Sequence, residues 1–189
     1  LVDETANLEE AAQGIVSAAF GFQGQKCSAG SRAVIVDSVY PQVATRVVEL
    51  AKELKVGATD EGNNIHMGPV IDQEAFKKIM DYIEVGTQEG ELLLGGQPLP
   101  TPTNGYFIPP TIFGNVPWNA RIAQEEIFGP VLPILSYKNS EEVKKIINQN
   151  PNPLAFYVFT SSKRKEQEWL NDIPFGGGCV NNTAWHLTN

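Results

Sequence analysis

The sequence predicts an α/β fold, in which an open, largely parallel, twisted sheet is flanked by helices. Helical and strand-like segments alternate almost throughout its 189 residues, and this alternation favours parallel strands joined by helices. Residues 32–37 and 154–160 are largely apolar and rich in β-branched or aromatic side chains, as in buried strands. With 42% hydrophobic and 19% charged residues, the composition is typical of a globular protein, and we expect one domain over residues 1–189.

The first half of the chain contains three predicted helices and one strand. Asn7 is a candidate N-cap, because apolar residues recur at helical spacing directly after it. The predicted elements are a helix from Asn7 to Gly24, a strand over residues 32–37, a helix over residues 40–54 and a helix over residues 73–90.

The second half begins with a turn-rich stretch, GGQPLPTPTNG, and short apolar segments. The predicted elements beyond it are a strand over residues 131–137, a helix over 141–149, a strand over 154–160, a helix over 163–171 and a last strand over 178–181.

Charge and cysteine content limit the functional classes. The 14 basic and 22 acidic residues give a net charge of -8, which disfavours nucleic acid and anionic membranes as partners. The longest apolar run falls well short of the roughly 20 residues that span a bilayer, so we expect a cytoplasmic protein. Cys27 and Cys179 lie far apart without CxxC spacing, so neither a disulfide nor a metal site is expected.

Cys27 lies in the segment GFQGQKCSAGSR, residues 21–32, in the connection between the first predicted helix and the strand that follows it. A cysteine here is either a small packed hydrophobe or a nucleophile. Small neighbours leave room for backbone amides to approach a reacting oxygen, and Lys26 or Arg32 would favour a thiolate. Only four residues separate Cys27 from Arg32, so the five-residue spacing of a tyrosine-phosphatase loop is excluded.

Two functional interpretations of Cys27 stay open on residue chemistry. A thiol hydrolase would need a histidine base, and the chain offers His66 and His186. A non-catalytic α/β scaffold, dissected or recombined from a larger protein, would use Cys27 for packing alone. Cys179, within FGGGCVNN, is predicted to be a packed strand residue.

Two motifs carry a resemblance to a known family. FGFQGQKCSAGS, residues 20–31, resembles the active-site signature of the NAD(P)-dependent aldehyde dehydrogenases. QEEIFGPV, residues 124–131, resembles their second hallmark and follows the cysteine by about a hundred residues, as the family requires. The resemblance covers essentially the whole chain and implies the catalytic domain of an oxidoreductase.

The resemblance implies chemistry for the residues that match. Cys27 would attack an aldehyde to give a thiohemiacetal and then a thioester, and its backbone amide would donate to the oxyanion. Glu126 would hydrogen-bond the nicotinamide ribose of NAD or NADP, and Phe128 would border the nicotinamide. Gln88 would approach the same ribose.

The resemblance also implies a substrate. Residues up to about 130 look most like 1-pyrroline-5-carboxylate dehydrogenases, which oxidise glutamate semialdehyde to glutamate, and Ser28 matches a serine that contacts the substrate carboxylate there. The later residues look more like class 3 fatty or aromatic aldehyde dehydrogenases, and residues 182–189 lack the Gly-Ser loop of the carboxylate anchor. Trp185 and His186 are expected to line an aldehyde tunnel instead. An intermediate subfamily and a recombined chain both explain this mixture.

By the same resemblance, the family's dinucleotide-binding domain, oxyanion asparagine and hydrolytic glutamate match positions before Leu1. We therefore expect a catalytic domain alone, able to react once but not to turn over. In the family, the strand that matches residues 179–181 pairs with an arm of another subunit, so a homo-oligomer is expected for the full-length parent.

Overall fold

Six α-helices and six short strands follow one another in the computed structural model, which describes residues 1–58, 60, 62, 64–100, 105–150 and 152–183. The helices are α1 (Leu8–Phe20), α2 (Tyr40–Lys52), α3 (Gln73–Glu89), α4 (Arg121–Gln124), α5 (Ser140–Asn148) and α6 (Lys163–Asp172). The strands are β1 (Ala33–Val36), β2 (Glu91–Leu94), β3 (Thr111–Gly114), β4 (Val131–Tyr137), β5 (Ala155–Val158) and β6 (Gly177–Val180). None of the helices in these residues is long and apolar enough to cross a membrane.

The strands form a four-stranded sheet in the order β1-β4-β3-β2 and a two-stranded sheet of β5 and β6. Every named pair is parallel except β2 with β3. Val2 joins the two sheets, because it forms parallel bridges to Ile35 in β1 and to Phe159 just after β5. The predicted α/β fold with a largely parallel, helix-flanked sheet is confirmed.

Alternate residues of β1 enter two different hydrophobic clusters. Ile35 packs in a cluster with buried residues of α1 and α2, whereas Val34 packs in a cluster with residues of α3, α5 and α6. Both faces of the strand are therefore covered by helices, which explains why its sequence is continuously apolar.

Side-chain caps fix the beginning of several helices. Asn7 accepts a hydrogen bond from the Glu10 backbone N–H, as its candidate role predicts. Asp72, Asn139 and Ser162 cap α3, α5 and α6 in the same way. Most predicted bounds agree with the structure to within about two residues.

The predicted end of the first helix at Gly24 is wrong, because α1 ends at Phe20. Phe22, Gln23 and Gly24 have φ values of 54°, 59° and 67°. Three successive left-handed residues cannot continue a right-handed helix. The chain turns sharply here, and this turn leads to Cys27.

Candidate active site

The left-handed turn after α1 determines where Cys27 lies. Phe22 and Gln23 are non-glycine residues in a backbone region that costs roughly 1–3 kcal/mol each. Contacts with the segment before α3 hold the turn: the Gln23 amide nitrogen Nε2 donates to the Pro69 carbonyl at 3.2 Å, and Gln25 Oε1 accepts from the Ile71 N–H at 3.0 Å. The turn directs Cys27 to the surface, where the thiol is exposed.

Gly24 lets this turn pack directly against a second loop. A Cβ atom on Gly24 would lie 2.3 Å from the Gly129 carbonyl oxygen and 2.9 Å from the Ala19 carbonyl oxygen. Only glycine fits this approach. It brings the Cys27 loop beside residues 126–129, so the two sequence motifs meet in space.

Cys27 borders a cavity of about 380 Å³ that Arg32, Glu126, Tyr157 and Thr183 also line. Among the residues that the structure describes, no protein acceptor receives the Cys27 backbone N–H. An exposed thiol with an available amide donor can attack a carbonyl carbon and stabilise the negative oxygen that results. A packed hydrophobe would need neither feature.

Glu126 and Phe128 lie in the loop that Gly24 contacts. Both are exposed, and they share a small recess with Gly24 and Lys26. Phe128 adopts a left-handed backbone, with φ of 58°, and the Glu126 carbonyl accepts from Lys78 Nζ at 3.3 Å. A carboxylate and an aromatic ring thus stand exposed close to the Cys27 loop.

Lys26 and Arg32 each have contacts of their own. The Lys26 ammonium lies 6.0 Å from the centroid of the Phe22 ring. The Arg32 guanidinium donates to the Ala123 and Ile147 carbonyls at 3.2 and 3.5 Å, and burial lowers its pKa. Arg32 therefore ties the start of β1 to α4, which immediately precedes the Glu126 loop.

Glu125 anchors the same loop on its other side. Its carboxylate accepts from the Tyr82 hydroxyl at 2.6 Å and from Arg121 Nε at 2.8 Å. The hydrogen bond from Tyr82 and then that from Arg121 lower the pKa of Glu125, and the bond to Glu125 in turn raises the pKa of Tyr82. This exposed cluster holds the backbone in place at Glu125, the residue directly before Glu126.

Glu125→Gln is expected to lower the pKa of the Tyr82 phenol towards its ordinary value near 10. The neutral amide accepts a weaker hydrogen bond from the phenol than the carboxylate does, and it has no charge to oppose phenolate formation, so the phenol ionises at lower pH. An NMR titration of the Tyr82 ring measures the shift. Glu74→Gln, on the same helix as Tyr82, is the control. An unchanged pKa of Tyr82 in Glu125→Gln would show that the hydrogen bond to the Glu125 carboxylate does not raise it.

The structure does not bring Gln88 to the Cys27 cavity. Gln88 is exposed on α3, ten residues after Lys78, and therefore about 15 Å further along the helix from the contact with Glu126. Its Nε2 donates to the Thr87 hydroxyl at 3.3 Å. A role for Gln88 at the ribose stays a prediction without support from this geometry.

The remaining predicted residues have different outcomes. Ser28 is buried at 2% exposure, and its carbonyl accepts from the Tyr157 hydroxyl. Trp185 and His186 lie outside the described residues. Cys179 is half-buried in β6, as expected for a strand residue.

His66 is not brought to Cys27 either. It is exposed, its Nδ1 accepts from the Lys55 N–H at 3.1 Å, and it borders a separate groove with Phe20 and Leu50. The hydrolase alternative therefore has no histidine base in the described lining of the Cys27 cavity.

Tyr157 was missed by the sequence analysis. Its hydroxyl reaches the residue after Cys27 across 129 positions of sequence, with a distance of 2.9 Å to the Ser28 carbonyl. The available signal was a tyrosine inside the buried strand LAFYVFT, since a buried tyrosine hydroxyl usually has a hydrogen-bond partner.

A parallel α/β fold with an exposed cysteine, an available amide donor and a neighbouring carboxylate and aromatic ring defines a class of enzymes that form covalent thiol intermediates. Comparison with known families agrees: the model of the aldehyde dehydrogenase family matches residues 1–188. The chain belongs to this family.

Similar curated proteins include 1-pyrroline-5-carboxylate dehydrogenases. The chain is 48% identical over 185 residues to the one from Geobacillus sp. (strain WCH70), and 44% identical over 185 residues to 1-pyrroline-5-carboxylate dehydrogenase 2 of Bacillus subtilis (strain 168). Each match covers 95% of this chain and 35% of the relative, so the chain spans about a third of their length. The similarity runs through both parts of the chain, and the class 3 resemblance of the later part is not confirmed.

Solved structures give the same result. The chain matches 1-pyrroline-5-carboxylate dehydrogenase from Thermus with bound NAD with a TM-score of 0.92 and 42% identity, over 96% of this chain and 34% of that one. Betaine aldehyde dehydrogenase from Staphylococcus aureus in complex with NAD+ matches with a TM-score of 0.91 and 28% identity, over 97% of this chain and 37% of that one.

Proposed function

We propose that this chain supplies the nucleophile of an NAD-dependent oxidation of an aldehyde to a carboxylic acid. One observation carries the proposal: Cys27 is exposed at a cavity, and no acceptor among the described residues takes its N–H. Glu126 and Phe128 stand beside it. The chain is the cysteine-bearing part of such an enzyme, in accordance with its coverage of about a third of its relatives.

The reaction begins when the Cys27 thiolate attacks the aldehyde carbon. A carbon–sulfur bond forms, and the carbonyl electron pair moves to the oxygen, where the Cys27 N–H is available to donate to it. Loss of hydride from this carbon leaves a thioester on Cys27. Water then cleaves the thioester, which releases the acid and regenerates the thiol.

The residues beside Cys27 fit a nicotinamide cofactor. The two oxygens of the exposed Glu126 carboxylate are acceptors suited to ribose hydroxyls, and the exposed face of Phe128 is suited to a flat ring. When bound, the cofactor supplies the hydride acceptor. NAD is favoured because the similar Thermus enzyme was solved with bound NAD.

Glutamate semialdehyde, the open form of 1-pyrroline-5-carboxylate, is the proposed substrate. The names of the similar curated proteins, at 44% to 48% identity, support it. Ser28 and Trp185 remain the proposed substrate contacts. The proposed setting is cytoplasmic, where Cys27 stays reduced, and the proposed assembly of the full-length parent is a homo-oligomer.

Acylation by p-nitrophenyl acetate tests the nucleophile. Intact-mass spectrometry of the purified chain is expected to show one added acetyl group on Cys27, with release of p-nitrophenolate. Cys27→Ser should reduce this rapid labelling to background, whereas the matched variant Cys179→Ser should keep it. Equal labelling of Cys27→Ser and the unchanged chain would refute the proposal.

Steady turnover of glutamate semialdehyde with NAD by the 189-residue chain tests a separate expectation. We propose that the chain by itself reacts once with an activated ester but does not oxidise the aldehyde with NAD. NADH absorbance should not rise in the presence of both reactants. Sustained NADH formation that depends on Cys27 would overturn this part of the proposal while supporting the reaction itself.

A further inference from the structure

We propose that Tyr157 is a positioning residue that orients and polarises the Cys27 backbone N–H through a relay of two peptide groups. The inference rests on the proposed function, in which that N–H receives the negative oxygen of the tetrahedral intermediate. Tyr157 itself touches neither substrate nor cofactor in this scheme. It acts through the chain on either side of Cys27.

The relay begins at the peptide group between Ser28 and Ala29. The Tyr157 hydroxyl donates to the Ser28 carbonyl at 2.9 Å, and the Ala29 N–H donates to the Lys26 carbonyl at 3.0 Å. The Ser28 carbonyl and the Ala29 N–H belong to one planar peptide group. Both polar ends of this group are held, so its orientation is fixed.

The second peptide group joins Lys26 and Cys27. Its carbonyl accepts from Ala29, and its N–H is that of Cys27, for which no acceptor exists among the described residues. Each donor in the series therefore points in the same direction, from the tyrosine hydroxyl towards the place of the negative oxygen. Hydrogen bonds aligned in series strengthen one another by polarisation, by roughly 10–30% per bond.

Tyr157 is well placed to start such a relay because its own backbone is fixed on both sides. It pairs with Cys179 across β5 and β6, and its carbonyl accepts from the Leu1 nitrogen at 2.8 Å. The side chain is half-buried and lines the Cys27 cavity. The hydroxyl thus reaches Ser28 from a sheet rather than from a neighbouring loop.

Two reagents separate this role from a general structural one. Acylation by p-nitrophenyl acetate passes through a negative oxygen that needs the Cys27 N–H, whereas alkylation by iodoacetamide displaces iodide without forming one. A residue that only holds the loop affects both reactions alike. A residue that orients the amide affects acylation selectively.

Tyr157→Phe keeps the ring and removes the donor. We expect its second-order acylation rate to fall about tenfold, less than the 10²–10³ lost with a direct oxyanion donor, and its alkylation rate to stay within about twofold. Tyr40→Phe is the matched control, because the Tyr40 hydroxyl also donates to a backbone carbonyl, that of Ile134, at 3.4 Å. Both rates should be unchanged in this control.

An unchanged ratio of acylation to alkylation in Tyr157→Phe would overturn the inference, as would an equal fall of both rates. If acylation of the parent chain did not depend on Cys27, the proposed function would fail instead, and Cys27→Ser in the same assay shows this separately. If Tyr157→Phe does not fold, the rate of hydrogen exchange at the Ala29 amide of the chain without substitutions tests the relay instead. Protection of the Ala29 amide supports the relay, and exchange at the rate of an unfolded chain contradicts it.

Discussion

Gly24→Ala is expected to lower the free energy of unfolding by about 3 kcal/mol. Residue 24 has a left-handed backbone, with φ of 67°, which disfavours alanine. The added Cβ would also lie 2.3 Å from the Gly129 carbonyl oxygen, so the two loops must separate. We expect Cys27 to lose its place beside Glu126, and the acylation rate to fall together with stability. Equilibrium urea unfolding measures the first effect, and p-nitrophenyl acetate the second.

Gly21→Ala is the matched control for this substitution. Gly21 lies in the same turn with φ of -57°, and its added Cβ would meet only the flexible end of Lys26, at 3.4 Å. Its stability should change by no more than about 0.5 kcal/mol. If Gly24→Ala were as mild as Gly21→Ala, the close approach of the two loops would not be a constraint on the fold.

Trp169→Ala should cost about 4 kcal/mol, because Trp169 is among the largest fully buried side chains and its removal leaves a cavity under α6. Trp169→Phe should cost less than about 2 kcal/mol. The indole Nε1 is buried without a hydrogen-bond partner in the described structure. Phenylalanine therefore removes an unsatisfied donor and retains most of the packing. Urea unfolding of both variants measures the difference.

The exposed Trp118, with 46% of its surface accessible, serves as the control for tryptophan removal. Trp118→Ala should change stability by no more than about 0.5 kcal/mol. Equal losses for Trp169→Phe and Trp169→Ala would mean that the indole N–H finds a partner, such as a bound water, that phenylalanine cannot replace.

The regular elements were predictable because their signals are local. Asn7 identifies the start of α1, and apolar periodicity identifies α2 and α3. The left-handed turn after Phe20 was not predictable in this way, since contacts with Pro69, Ile71 and Gly129 hold it in place. Residues 20–24 continue a helical pattern by themselves, and tertiary contacts override it.

The residues of the candidate site likewise differ in whether a local sequence signal or a long-range contact reveals them. Cys27, Glu126 and Phe128 could be predicted because two short motifs resemble the hallmarks of the aldehyde dehydrogenases, and they remain proposed site residues. Tyr157 escaped notice because its partner is 129 positions away and its local sequence indicates only a strand. Gln88 was implied by the family resemblance alone, and the length of α3 places it away from the Cys27 cavity.

The two bridges made by Val2 have a consequence for the order of folding. Val2 pairs with Ile35, which is near in sequence, and with Phe159, which is 157 positions away. The first pairing closes a short loop and the second a long one, so the entropic cost of the second is larger. Leu1 and Asp3 also form backbone hydrogen bonds with Phe159. The joining of the two sheets through residues 1–3 is therefore expected to be a late event in folding, and it completes the wall of the Cys27 cavity, which Leu1, Tyr157 and Phe159 line.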